Sequence, residues 1–284
     1  MPYVAGDTMV RHAWQEGYAI GAFSAHNAET ILAVLEAAEA ERSPVMIQIG
    51  QRAINTLGLA PLKALVDAYL GRVSVPVCVH LDHSRRFEQT LEAVRCGFQS
   101  VMFDGSHLPF AENARITRAV AEVAHALKIG CEGEIGKIGG VEDEIDVADE
   151  EALITSCEEA ARFVAATGVD YLAVSIGTAH GLYTRPPKLA FGRLAELRET
   201  VARPVVLHGG SGVPDAQIQR AIGLGVAKIN VDTELRQAFT EGMAGVLAEN
   251  PQEYALAVTL GRGREAMRQK VQEKIRLFGS QGRA

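Results

Sequence analysis

Eight short apolar runs recur along the chain: AIGAF (19 to 23), VMIQI (45 to 49), VPVCVHL (75 to 81), SVMF (100 to 103), IGCEGEI (129 to 135), YLAVSI (171 to 176), PVVLHGG (204 to 210) and VAKINV (226 to 231). Each has the length and near-continuous apolarity of a strand buried on both faces. Most are followed by a segment of helical period. In NAETILAVLEAAEAER, Ile31, Leu32, Leu35 and Ala38 trace one apolar face behind an Asn27 cap. In RFEQTLEAVRCG, Phe87, Leu91 and Val94 do the same, with Gly97 as the stop.

Strand and helix alternating eight times predict a parallel (β/α)8 barrel of the TIM type, formed by residues 1–284 as one domain with a C-terminal helical extension. A doubly wound open sheet is the competing fold, and it gives no reason for eight regular units. The fifth unit departs from the rhythm: KIGGVEDEIDVADEEA (137 to 152) is a long, acidic, glycine-bearing insert of the kind that forms lids or binding loops. After it, Thr155 and Glu158 have the spacing of a capping box.

Composition changes this picture little. A net charge of −7 with interspersed signs and no basic cluster argues against nucleic acid as a partner. No apolar run reaches 18 residues and the N-terminus lacks a signal-peptide pattern, so no membrane partner and a cytoplasmic location are expected. Four widely spaced cysteines without a C-x-x-C fit reduced thiols.

The candidate chemistry gathers where a barrel carries its active site, at the C-terminal ends of the strands. Strand 3 ends in Asp82 and His83, strand 4 in Asp104, strand 5 in Glu132 and Glu134, and strand 7 in His208, while His180 follows strand 6. One such histidine alone reads as a hydrogen-bonded core residue. Three at equivalent positions read as ligands of one transition metal, zinc above all, because neutral imidazole suits Zn²⁺ better than Mg²⁺. His12, His26, His80, His107 and His125 lack that placement and take the structural or surface reading.

Asp82 beside a ligand is a candidate proton relay or a partner that orients the ligand, and Glu142 in the acidic insert could reach in on closure. HGGSG (208 to 212) and NVDT (230 to 233) follow strands 7 and 8, where barrels bind phosphate. Gly210, Ser211, Asp232 and Thr233 are the candidates there, although Asp232 could serve only as a helix cap.

Taken in order, SPVMIQ, VHLDHS, SVMFDGSHLP, EGEIGKIGGVEDE, GVDYLAVSIGTAHGLY, VLHGGSGVP, AKINVDTELR and a late FGS resemble the class II, metal-dependent ketose-bisphosphate aldolases, especially the tagatose-bisphosphate branch. The resemblance covers nearly the whole chain. It implies that His83, His180 and His208 bind catalytic Zn²⁺, that Asp82 is the acid/base at the aldehyde-derived oxygen, and that Glu142 abstracts the carbon-bound proton. It further implies that Asn230 touches the dihydroxyacetone phosphate portion, whose phosphate lies among Gly181, Gly209, Ser211, Asp232 and Thr233. Asp104 and Glu134 match an alternative metal site, and a monovalent cation, Na⁺ or K⁺, is expected near the Gly181 and Ser211 loops. The substrate so implied is a phosphorylated sugar, tagatose or fructose 1,6-bisphosphate, cleaved by a homodimer or homotetramer.

Three positions depart from that pattern. Gly50 stands where a Ser or Thr is expected near a phosphate, Ser24 replaces an Asn, and Gln252 follows Pro251 where the family carries the arginine for the distal phosphate. Arg262 is the candidate substitute. These departures point to a ketose monophosphate or another aldol as the alternative substrate. Two other readings compete: a Schiff-base aldolase using Lys228 of strand 8, and a non-catalytic accessory subunit of an aldolase.

Overall fold

A computed structural model describes residues 3–136, 139–142, 145–147, 154–181, 183 and 187–284, with the backbone alone for 139–142, 145–147 and His180. Eight parallel strands close into a barrel: β1 (Ile20–Ser24), β2 (Val45–Ile49), β3 (Val77–Ser84), β4 (Ser100–Phe103), β5 (Gly130–Ile135), β8 (Tyr171–Val174), β10 (Val205–Leu207) and β11 (Val226–Val231). They coincide with the eight apolar runs. Closure rules out the open doubly wound sheet, because β1 pairs with both β2 and β11.

Alternation along each strand sorts the side chains. On β3, Val77, Val79 and Leu81 join the larger apolar cluster, while Cys78 joins the smaller cluster with Ala22, Met46, Tyr171, Ala173 and Val206. That smaller cluster also includes Met9, Val10 and Ala13 of α1 (Gly6–Glu16), a helix the apolar runs do not predict. The contacts of α1 with β5, β11 and β3 set it against the barrel itself.

Moving along the same rows toward the C-terminal ends, the interior turns polar. Cys78 gives way to His80 and Asp82, Met46 to Gln48, and Lys228 is followed by Asn230. All of these polar side chains are buried.

Helix boundaries follow local chemistry. Asn27 caps α2 (Ala28–Glu41) with a reciprocal Thr30 bond, as expected from the sequence. The capping box assigned to Thr155 does not form. Ser156 caps α7 (Cys157–Thr167), while Thr155 Oγ1 donates to the Ile135 carbonyl and accepts from Ser175 N, tying β5 to the end of β8. The C-terminal extension is α10 (Thr233–Glu249) packed on α11 (Leu256–Leu277), which also covers α2. No described helix is long and apolar enough to cross a membrane.

Within the acidic insert β6 (Gly139–Glu142) pairs antiparallel with β7 (Ile145–Val147), and β6 pairs in parallel with β9 (Ala179–His180). Gly140 lies opposite His180. The insert that carries Glu142 is therefore joined to the segment that carries His180.

Candidate active site

Asp82 and His83 are adjacent, so a regular strand would send them to opposite faces. Here the β3–β4 register shifts between Leu81 and Ser84, and His83 adopts a left-handed backbone with φ 45°. This irregularity lets both side chains be buried among polar groups of the barrel mouth. A non-glycine residue in that conformation costs about 1–2 kcal/mol, so the packing around it must hold it there.

His83 Nδ1 lies 3.2 Å from Asp104 Oδ2 and 3.8 Å from Glu134 Oε2. His208, just beyond β10, crosses it edge to face with ring centroids 4.6 Å apart. Its Nδ1 is 3.6 Å from Glu134 Oε2 and its Nε2 is 2.8 Å from Glu132 Oε1. Two overlapping groups of donor atoms result, Asp82 with His83 and His208, and His83 with Asp104 and Glu134, each within a 4.8 Å span. The side chains of His180 and Glu142 lie outside the described residues.

The donor chemistry calls for a cation. Asp82, Asp104, Glu132 and Glu134 are at most 3% exposed, and Lys228 is the one buried ammonium among them in the described residues. Burial, with the charge of Asp104 added, drives the Glu134 carboxyl well above the usual range, and its Oε2 has no hydrogen-bond partner among the described residues. Burial pulls the His83 imidazole down, but Asp82, Asp104 and Glu134 outweigh it and raise it well above its ordinary value. Burial would likewise raise Asp104, yet bonds from His83 and Ser106 hold it well below the carboxylate range. A divalent metal would satisfy these crowded carboxylates and imidazoles together.

Asp82 is held from two sides. Gln48 Nε2 donates to its Oδ2 at 2.9 Å and Asn230 Nδ2 to its Oδ1 at 3.3 Å. Gln48 was not singled out from the sequence, though a lone amide inside VMIQI at the inward register was the available signal. Ser24 Oγ, at the family departure, accepts from the same Gln48 amide at 3.4 Å. His80 stays below the mouth as expected, with Nδ1 2.6 Å from Ser100 Oγ, and burial and Lys228 push its imidazole well below the ordinary value.

Around the proposed phosphate turn the backbone is squeezed. Gly209 has φ 64°, and a Cβ there would meet the Ala179 carbonyl at 2.3 Å, while one on Gly210 would meet the Asn230 carbonyl at 2.7 Å. Tyr183 clamps the same corner: its hydroxyl accepts from Ala179 N at 2.8 Å and donates to Gly209 O at 2.9 Å. Burial raises that hydroxyl to about 12, so it stays a neutral donor. Tyr183 was also missed, although it closes the quoted GTAHGLY.

Replacing Gly209 by Ala is expected to raise KM for the phosphorylated ketose about tenfold or more, since the turn must move by roughly an ångström. Steady-state kinetics check this, and an unchanged KM would mean the turn is only a packing corner.

Gly181 likewise has positive φ, 90°. Ser211 Oγ accepts from Glu234 N, and Thr233 opens α10. Asp232 occupies the N-cap position of α10 without making a side-chain cap bond. Its oxygens lie instead 3.2 Å from His26 Nε2 and 2.8 Å from Arg236 Nη2, so His26, read as structural from the sequence, borders this corner. Arg262 is exposed on α11 and pairs with Glu249 at 3.2 Å.

A closed barrel with buried imidazoles and acids gathered at its C-terminal mouth defines an enzyme site whose donors could hold a metal ion. Residues 4–283 match the family described as fructose-bisphosphate aldolase class-II, and the chain belongs to that family. A sulfofructosephosphate aldolase of Alkalicoccus urumqiensis is 60% identical over 284 residues, which is all of this chain and 99% of that protein. The YdjI aldolase of Escherichia coli K12 superposes with a TM-score of 0.88 at 36% identity, over 99% of each chain. The fructose-bisphosphate aldolase of Campylobacter jejuni gives 0.85 at 25% identity, over 99% of this chain and 97% of that one.

The protein is therefore a class II aldolase, a carbon–carbon lyase. The accessory-subunit reading falls with that assignment. The Schiff-base route falls as well: Lys228 Nζ is buried against Glu132 Oε2 at 2.8 Å and Asn230 Oδ1 at 2.6 Å.

Proposed function

We propose that the enzyme cleaves a sulfonated fructose phosphate by a zinc-assisted retro-aldol reaction, giving dihydroxyacetone phosphate and a sulfonate-bearing aldehyde. The observation that carries this reading is the 60% identity, end to end, to a sulfofructosephosphate aldolase. The departures at the far end of the substrate support it. A phosphate carries about −1.5 to −2 charges at pH 7, whereas a sulfonate carries one. A site without a Ser or Thr hydroxyl at Gly50 and with Gln252 after Pro251 suits the weaker anion better than the distal phosphate of tagatose or fructose 1,6-bisphosphate.

In this reading His83, His180 and His208 hold Zn²⁺, with Asp104 and Glu134 as a second resting place for it. When bound, the metal supplies Lewis acidity that stabilises negative charge developing on the substrate's carbonyl and hydroxyl oxygens. Asp82, fixed by Gln48 and Asn230, receives the proton from the C4 hydroxyl as the C3–C4 bond breaks, and returns it in the condensation direction. Glu142, carried on β6, hands the proton to or from C3 of the dihydroxyacetone portion. Asn230 orients that portion, and its phosphate rests on the backbone of Gly209 and Gly210 with Gly181, Ser211, Asp232 and Thr233 around it. A monovalent cation such as Na⁺ or K⁺ beside Gly181 and Ser211 belongs to the same reading.

A coupled assay for dihydroxyacetone phosphate, run on sulfofructose phosphate and on fructose and tagatose 1,6-bisphosphates, tests the assignment. The sulfonated substrate is expected to lead in kcat/KM by about tenfold or more, the scale of one well-matched pocket contact. A bisphosphate turned over faster than the sulfonate would overturn it.

A further inference from the structure

His208 follows β10 and Asp82 lies on β3, yet one buried chain of polar contacts joins them. Glu132 Oε1 lies 2.8 Å from His208 Nε2, and Glu132 Oε2 lies 2.8 Å from Lys228 Nζ. Lys228 donates onward to Asn230 Oδ1 at 2.6 Å, and Asn230 Nδ2 donates to Asp82 Oδ1 at 3.3 Å. No member is more than 3% exposed.

Stability does not account for the ion pair at its centre. Removing two charges from water costs about as much as their attraction returns, and well-packed apolar residues of similar volume often serve as well or better. The directions of the hydrogen bonds do account for it. An ionised carboxylate only accepts, so Glu132 requires the hydrogen of His208 on Nε2 and leaves the lone pair on Nδ1, the nitrogen 3.6 Å from Glu134 Oε2. An ammonium only donates, so Lys228 draws the amide oxygen of Asn230 toward itself and turns the amide NH₂ toward Asp82.

We propose that Glu132 and Lys228 are positioning residues of the aldolase reaction, a single buried pair that sets the ligand atom of His208 and the orientation of Asn230 against Asp82. The inference rests on the reading of His208 as a metal ligand. It gives Lys228 a role that a class II enzyme would otherwise lack, since the lysine reaches neither solvent nor a site of Schiff-base chemistry.

The test uses the full-length protein in wild-type form and as Glu132→Gln, Lys228→Met and the uncharged double variant, with thermal melting to verify folding. Zinc affinity is measured by competition with a chromophoric chelator, the visible spectrum is recorded on the cobalt-loaded protein, and kcat and KM are compared at saturating metal. Glu132→Gln is expected to weaken metal binding by about 10–100-fold and to shift the cobalt bands. Lys228→Met is expected to lower kcat about tenfold with a smaller change in KM, because Asn230 loses its fixed orientation. The double variant removes the unpaired buried charge left by Lys228→Met, so it should melt near the wild-type temperature while the kinetic defect persists.

Folded single or double variants with wild-type zinc affinity, cobalt spectrum and kcat would overturn the proposal, whatever their melting temperatures. Wild-type protein that fails to bind zinc in the same competition would instead sink the metal reading beneath it, so the two failures are separable.

Discussion

Stripping the enzyme with a chelator is expected to lower its retro-aldol rate by about a thousandfold or more, with zinc or cobalt restoring it. The magnitude follows from the several kcal/mol that a Lewis acid contributes to a charge-developing transition state, at about 1.36 kcal/mol per factor of ten. The site gives the reason for expecting a metal. Burial and the charge of Asp104 raise the proton affinity of the Glu134 carboxyl, and His83 is a buried imidazole surrounded by three carboxyls. Ionised carboxyls crowded together in a closed interior are unfavourable, and a bound divalent cation offsets that cost.

The same argument predicts a rise in melting temperature when metal is added. A ligand present at a hundred times its dissociation constant stabilises the native state by about 2.7 kcal/mol. Activity that persists in full once metal analysis shows the protein to be empty would refute the metal assignment and the mechanism built on it.

The second large effect is expected at Asp82. Replacing Asp82 by Asn should reduce kcat by roughly 10²–10⁴-fold, the usual contribution of a positioned general acid or base, with a much smaller change in KM. The substitution keeps the volume of the side chain and one acceptor oxygen, so one of the bonds from Gln48 and Asn230 survives while the new NH₂ faces the other donor. It removes the negative charge and, with it, the capacity to take up and return a proton. Kinetics at saturating zinc, with metal content measured on the same samples, provide the check. If Asp82→Asn retains more than about a tenth of the wild-type kcat while binding metal normally, Asp82 acts as an orienting partner of the site and the acid/base lies elsewhere.

Much of this arrangement was legible in the chain because barrel strands carry two messages at once. Buried parallel strands are apolar throughout, which marks VMIQI, SVMF and YLAV as strands without further help. Polar residues that interrupt such runs at every second position, as in Cys78, His80 and Asp82, then mark the inward face. Asn27 before α2 was legible for the same local reason, since a cap is satisfied by atoms three residues away.

What escaped the sequence depended on distant partners. The first helix has little pattern beyond Met9, Val10 and Ala13, and its place against the barrel is set by Tyr171 and Ser100 reached across more than ninety residues. Thr155 has the sequence of a cap, yet bonds to Ile135 and Ser175 claim its hydroxyl. Gln48 and Tyr183 are single polar side chains whose roles appear only when β3 and the Gly209 turn arrive beside them.

The barrel, the strands that end in acids and imidazoles, and the membership of this chain among class II aldolases are all readable from the chain alone. Those properties are carried by local periodicity and by the order of short motifs. Folding was needed to bring adjacent Asp82 and His83 to one mouth, through a register shift and a left-handed residue that no strand pattern encodes. It also decided that Glu132 and Lys228, two interior charges from β5 and β11, meet between a candidate metal ligand and a candidate acid. The physical reason is the same in both cases: closing the barrel brings atoms distant in sequence within hydrogen-bonding distance in a dry interior, where each buried charge must find its partner.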